Sequence, residues 1–134
     1  MIPNKPIVLL LIDDDEDDRD FFKIALADIN LEFECEVAKG ARDALAMLEK
    51  NEIKPDFIFL DLNMPGINGR VCLKRLKETP ATESIPVIIF STSSELADIK
   101  ETKALGAMSF MTKPPSLAQL SINLYNFFIQ QLQN

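Results

Sequence analysis

The chain has 134 residues, 47% of them hydrophobic, enough to bury one core and too few for two ordinary domains. Fourteen Lys and Arg against 21 Asp and Glu give a formal net charge of −7, which repels nucleic acid and anionic membrane surfaces and leaves proteins or cations as the expected partners. Histidine is absent and the two cysteines, Cys35 and Cys72, have no CxxC spacing, which excludes zinc sites and Ser-His or Cys-His nucleophile systems; both cysteines read as reduced, buried thiols.

No apolar run approaches a membrane span and "MIPNKP" lacks a signal-peptide core, so a cytoplasmic protein is expected. A first strand, Ile7–Ile12, runs straight into six acidic residues, Asp13 to Asp18. Phe22, Ala25, Leu26 and Ile29 then fall at i, i+3, i+4 and i+7, the stripe of a helix covering one side of a sheet. Phe33–Ala38 reads as the second strand, and Ala41, Ala44, Leu45 and Leu48 repeat the helical spacing. The third strand, Phe57–Leu60, ends at Asp61, and Asn68-Gly69 precedes a third helix. Val87–Phe90 is a fourth strand ending at Ser91 and Thr92; Met108–Met111 is a fifth, followed by Lys113. In the last helix Leu117, Leu120, Leu124 and Phe127 form one apolar stripe, while Ile122, Tyr125, Ile129 and Leu132 form a second, about a third of a turn round. That second stripe reads either as an interface, for a partner or a homodimer, or as an extended edge of the core. Five strands alternate with five helices, and the first and fourth strands are apolar at consecutive positions, as in a parallel sheet covered on both faces. Without repeats, linkers or low-complexity tails, residues 1–134 are expected to form one domain with no output domain attached.

Ligands of open parallel sheets bind beyond the carboxyl ends of the strands. Here those ends carry Asp13, Asp14 and Asp15, then Asp61, then Ser91, then Lys113. Carboxylates crowded together need a cation, a lysine or protonation, and Mg²⁺ is the hard divalent ion suited to one or two carboxylates plus phosphate oxygens. Helix capping competes with metal binding as the reading of Asp13 and Asp14, and Asp17, Asp18 and Asp20 need be no more than the polar start of a helix. Asp61 has no helix to cap, since Leu62-Asn63-Met64-Pro65-Gly66 intervenes; its simplest structural role is an Asx-turn. Lys113 serves equally to neutralise local negative charge.

The stretches "LLIDDDEDD", "FIFLDLNMPGING", "PVIIFSTSS" and "GAMSFMTKPPS", in that order over the whole chain, resemble the receiver domain of two-component response regulators in its stand-alone form. The resemblance implies an α/β, doubly wound, flavodoxin-like fold with a five-stranded parallel sheet in the order 2-1-3-4-5 and helices on both faces. It also implies that Asp61 accepts a phosphoryl group from a sensor histidine kinase or a histidine phosphotransfer protein. By position, Asp13 and Asp14 match the acidic Mg²⁺ pair, with Asp15 leaving the register open by one residue. Asn63 matches the residue that gives its backbone carbonyl to the metal. Ser91 and Lys113 match the hydroxyl and the ammonium that bind phosphoryl oxygens, and Phe110 stands at the aromatic switch position beside Ser91's role as the moving hydroxyl. Thr92 replaces a commonly smaller residue and is expected to restrict access to an acyl phosphate. The family's switching surface implies a downstream protein partner, or a homodimer, through helix four, strand five and helix five.

Four other functions share parts of this pattern. A phosphohydrolase with an Asp nucleophile usually carries a second acid where this chain has Asn63. A calcium loop starting at Asp61 needs a bidentate Glu where Cys72 stands. A flavin carrier would face its phosphate with an acidic loop. A degenerate receiver that only binds proteins is the remaining alternative, and the presence of every phosphorylation residue counts against it.

Overall fold

The structure, a computed structural model, describes residues 5–133. Strands β1 (Ile7–Ile12), β2 (Phe33–Ala38), β3 (Phe57–Leu60), β4 (Val87–Ser91) and β5 (Ser109–Thr112) alternate with helices α1 (Glu16–Ala27), α2 (Ala41–Glu49), α3 (Gly69–Glu78), α4 (Leu96–Ala104) and α5 (Leu117–Leu132). All neighbouring strands pair in parallel, in the order β2-β1-β3-β4-β5.

Consecutive apolar residues in the central strands are explained by cores on both faces. Leu10, Ile12, Ile58, Leu60, Val87 and Ile89 point into a core closed by Ala44 and Leu48 of α2 and Cys72, Leu73 and Leu76 of α3. The alternate residues Leu9, Leu11, Phe59, Ile88 and Phe90 face Phe22, Ala25 and Leu26 of α1 and Leu120, Leu124 and Phe128 of α5. Because strand side chains alternate, either face would be exposed to water if its helices were absent. On the α1/α5 side the filling is aromatic: Phe22 meets Phe59 and Phe90 edge-on, with ring centroids 5.1 and 5.4 Å apart.

Four local expectations shift. β5 starts one residue later than the apolar run suggests, because Met108, 48% exposed, donates its amide to Val87 before the strand proper begins. In α5 the fully buried aromatic is Phe128, with Phe127 only half-buried beside it, so the core stripe runs Leu120, Leu124, Phe128. Leu132 packs against the same core, which removes it from the outward stripe; Ile122 and Tyr125 remain exposed and Ile129 half-buried. Cys72 is buried as expected but Cys35, on the edge strand β2, is only half-buried.

Candidate functional site

The sheet order makes β1 and β3 neighbours although β2 separates them in the chain, and this reversal opens the crevice at their carboxyl ends. Ile12 pairs with Leu60, so the next residue on each strand, Asp13 and Asp61, emerges at the same level. The Asp61 amide donates to the Ile12 carbonyl at 3.0 Å and the Asp13 amide to the Ala38 carbonyl at 3.1 Å, which fixes both backbones. Asp13 is fully buried and Asp61 is 6% exposed, while Asp14 is exposed. Carboxylate oxygens of all three lie within 4.8 Å of one another.

The acids of the opening run divide among different jobs. Asp15 is the N-cap of α1: its side chain accepts from the Asp18 amide at 3.0 Å, and its own amide donates to Asp13 Oδ1 at 3.0 Å. The acids that converge with Asp61 are therefore Asp13 and Asp14. Asp18 does more than begin a helix, since its Oδ2 lies 2.8 Å from Lys113 Nζ.

Lys113 follows β5, where its amide donates to the Ser91 carbonyl at 2.7 Å. Its ammonium reaches back across the strand ends to Asp13 Oδ2 at 2.8 Å and lies 3.6 Å from Asp61 Oδ2. Along the way the nitrogen sits over the Phe90 ring, 5.4 Å from its centroid. Burial works against the Lys113 charge, but hydrogen bonds to Asp13 and Asp18 and the charges of Asp61 and Asp13 outweigh it, so the ammonium is held well above its ordinary pKa. Asp61 is raised, mainly by burial; Lys113 and the Asn63 amide, which donates to Asp61 Oδ1 at 3.2 Å, pull it down, while Asp13 and Asp14 push it up. A carboxylate under that pressure gains from any added cation.

Ser91 ends β4 fully buried, its hydroxyl oxygen accepting from the Ser93 amide at 3.3 Å; Thr92 beside it is exposed. Phe110, half-buried on β5, packs against the core on the α2/α3 side. Ile122, Tyr125, Ile129 and Leu132 lie along α5 and take no part in the carboxylate cluster.

Two further residues shape the site. Arg19 is buried on α1 and donates through Nη1 to the Asp13 carbonyl at 2.9 Å, steadying the loop that carries the acidic pair. Gly69 opens α3 directly beneath Asp61: a Cβ there would stand 2.3 Å from the Asp61 carbonyl oxygen and 2.6 Å from the Leu62 Cα. Asn68-Gly69 reads as punctuation in the sequence, and only the close backbone approach shows why glycine is needed.

Residues 9–124 match the family model described as the response regulator receiver domain, so the chain belongs to the receiver domain family. Response regulator Rcp1 of Synechocystis sp. is 30% identical over 122 residues, covering 87% of this chain and 83% of that protein. A protein-glutamate methylesterase/protein-glutamine glutaminase of Rhodospirillum rubrum is 37% identical over 117 residues, but this chain spans only 30% of its length. The crystal structure of the phosphorylated cyanobacterial phytochrome response regulator RcpA superposes with a TM-score of 0.84 at 30% identity, covering 92% of this chain and 91% of that one. The Mn²⁺-bound form of Rcp1 superposes with a TM-score of 0.81 at 28% identity, covering 91% of each chain. The five-stranded order and the flanking helices are those of the receiver fold. Among the described residues no helix is long and apolar enough to cross a membrane.

Proposed function

We propose that this chain works as a stand-alone response regulator in the cytoplasm, accepting a phosphoryl group on Asp61 from a sensor histidine kinase or histidine phosphotransfer protein. The observation that carries the reading is the meeting, at one strand-end crevice, of a buried carboxylate, two further carboxylates and a lysine ammonium from three distant parts of the chain. Asp13, Asp14 and Asp61 offer the oxygen donors that Mg²⁺ prefers, with the Asn63 carbonyl as a further ligand. When bound, the ion supplies positive charge against the phosphoryl oxygens and the crowded carboxylates.

The chain's own groups do the rest. An Asp61 carboxylate oxygen forms the new bond to phosphorus as the donor's phosphorus–nitrogen bond breaks; the electron pair leaves with the imidazole, and no base is needed on an ionised carboxylate. The Lys113 ammonium and the Ser91 hydroxyl each bind one phosphoryl oxygen, so charge developing in the transfer meets groups already positioned for it. Phosphorylation adds about −1.5 to −2 charges, which draws Ser91 and Lys113 toward the new group and shifts an existing balance of conformers, with Phe110 following. Exposed Leu96 of α4, Met108 just before β5, and Ile122 and Tyr125 of α5 support the α4, β5 and α5 side as the contact surface for a downstream protein or a second copy, with Ile129 at its margin. In this reading the protein is a signalling acceptor, not an enzyme acting on a separate substrate.

The test is incubation with a small acyl phosphate and Mg²⁺, followed by intact mass. Wild type is expected to gain one phosphoryl mass and Asp61→Asn none; an unmodified wild type would overturn the proposal.

A further inference from the structure

Asp18 is the acid whose position a helix start does not account for. First-turn acids favour the helix dipole while pointing into solvent, as exposed Asp17 does, and the Asp18 backbone amide is already capped by Asp15. Yet the Asp18 side chain, 39% exposed, reaches Lys113 Nζ at 2.8 Å, the same distance as buried Asp13, while Asp61 stays at 3.6 Å, beyond hydrogen-bonding range. An ammonium has three N–H bonds. Two are committed to carboxylates that are not Asp61.

We propose that Asp18 is a positioning residue that parks the Lys113 ammonium short of Asp61 until a phosphoryl group arrives. The inference rests on Asp61 being the phosphoacceptor. In this proposal the nitrogen moves toward Asp61 to serve an incoming phosphoryl oxygen, and of its two bonds the one to half-exposed Asp18 is the weaker tether. A contact made in the resting state and loosened in the transition state slows the reaction. With acetyl phosphate as donor, the Asp61 oxygen–phosphorus bond forms as the donor's bridging oxygen–phosphorus bond breaks, and acetate leaves with the electron pair. The Asp18 tether therefore opposes uptake. It leaves hydrolysis of the acyl phosphate nearly unchanged, because there Lys113 is already on the phosphoryl group before and during the reaction.

The experiment times phosphoryl uptake from acetyl phosphate with saturating Mg²⁺, and decay after donor removal, by intact mass. Asp18→Asn is expected to take up phosphoryl about three- to fivefold faster, the size of a partly exposed ion pair, with decay changed by less than about twofold. Asp18→Glu restores the acid and the wild-type rate, and Asp17→Asn leaves the rate unchanged. Lowered repulsion of an anionic donor would also speed uptake, so the same substitution is made in a Lys113→Ala background, where its effect is expected to vanish. Equal uptake by wild type and Asp18→Asn overturns the proposal. So does an acceleration that Asp17→Asn reproduces or that persists without Lys113. A merely structural pair would shift the unfolding midpoint and leave the ratio of uptake to decay alone. Uptake that Asp61→Asn abolishes but Asp18→Asn leaves untouched removes the positioning role only, whereas no uptake by wild type removes the phosphoacceptor reading and this inference together.

Discussion

A methyl group on Gly69 has nowhere to go, since the atoms it would strike are the backbone of Asp61 and Leu62 rather than movable side-chain ends. Gly69→Ala is expected to lower stability by about 1–3 kcal/mol, as overpacking against a fixed neighbour does, and to displace Asp61 with it. Urea unfolding checks the first; an unchanged midpoint would show that α3 can slide away from the site. Cys35 offers a second residue-scale prediction. Burial pushes its thiol from 9.0 up to about 11, with Lys23 only partly opposing, so at pH 8 it is alkylated about two orders of magnitude more slowly than an ordinary exposed thiol. The sign for stability follows: the native state holds this proton more tightly, so the contribution is complete below pH 9 and is lost as pH rises through about 11. Alkylation of Cys35 at the rate of a free thiol at pH 8 would contradict this.

Among the helices, α4 is held differently from the rest. Its buried residue is Thr102, whereas α1 and α5 each bury several apolar side chains against the Phe59 and Phe90 layer. What ties α4 down is polar: Arg70 of α3 pairs with both Asp98 and Glu101, and the Ser93 hydroxyl donates to Asp98 at 2.6 Å. Arg70→Ala is therefore expected to speed amide exchange across residues 96–104 while costing less than about 1 kcal/mol globally. Leu124→Ala, at the middle of the α5 core stripe, should instead cost about 2–5 kcal/mol and raise exchange throughout. Exchange in α4 that ignores Arg70 would mean its apolar contacts suffice. The contrast also explains which elements were readable in advance. Doubly buried strands and the stripes of α1 and α2 announce themselves by period; the last helix carries a broad apolar arc opposite its polar face of Gln119, Asn123 and Asn126, and both Phe127 and Phe128 fall within that arc, so periodicity alone cannot choose between them as the buried ring.

For the molecule as a whole, burying Asp13 and Asp61 beside Asp14 costs stability that a single lysine only partly returns. Asp61→Asn is therefore expected to raise the unfolding midpoint in EDTA. Mg²⁺ is expected to stabilise wild type by about 2.7 kcal/mol at a hundredfold excess over its dissociation constant, raising its midpoint, and to raise the variant's less. An EDTA midpoint of Asp61→Asn below that of wild type would place the strain elsewhere. Asp13, Asp61 and Lys113 were legible in the sequence because each stands just past an apolar strand, where the sheet rule puts ligands. Asp18 was not, because its partner lies 95 residues away across the fold and its local reading as part of a polar helix start was already complete; Arg19 bonds only six residues back, but nothing in the sequence pattern marks a helix-start arginine as buried. The sequence left the register of the acidic run open by one residue; the Asp15 cap on α1 supports Asp13 and Asp14 as the acids that stand with Asp61. Everything proposed for the crevice turns on which residue carries the phosphoryl group. Borohydride treatment of the phosphorylated protein reduces an aspartyl phosphate to homoserine, which peptide mass sequencing locates. Homoserine at position 61 alone is the predicted result; phosphoryl retained on Ser91 or Ser93, or homoserine at position 13 or 14, would contradict it.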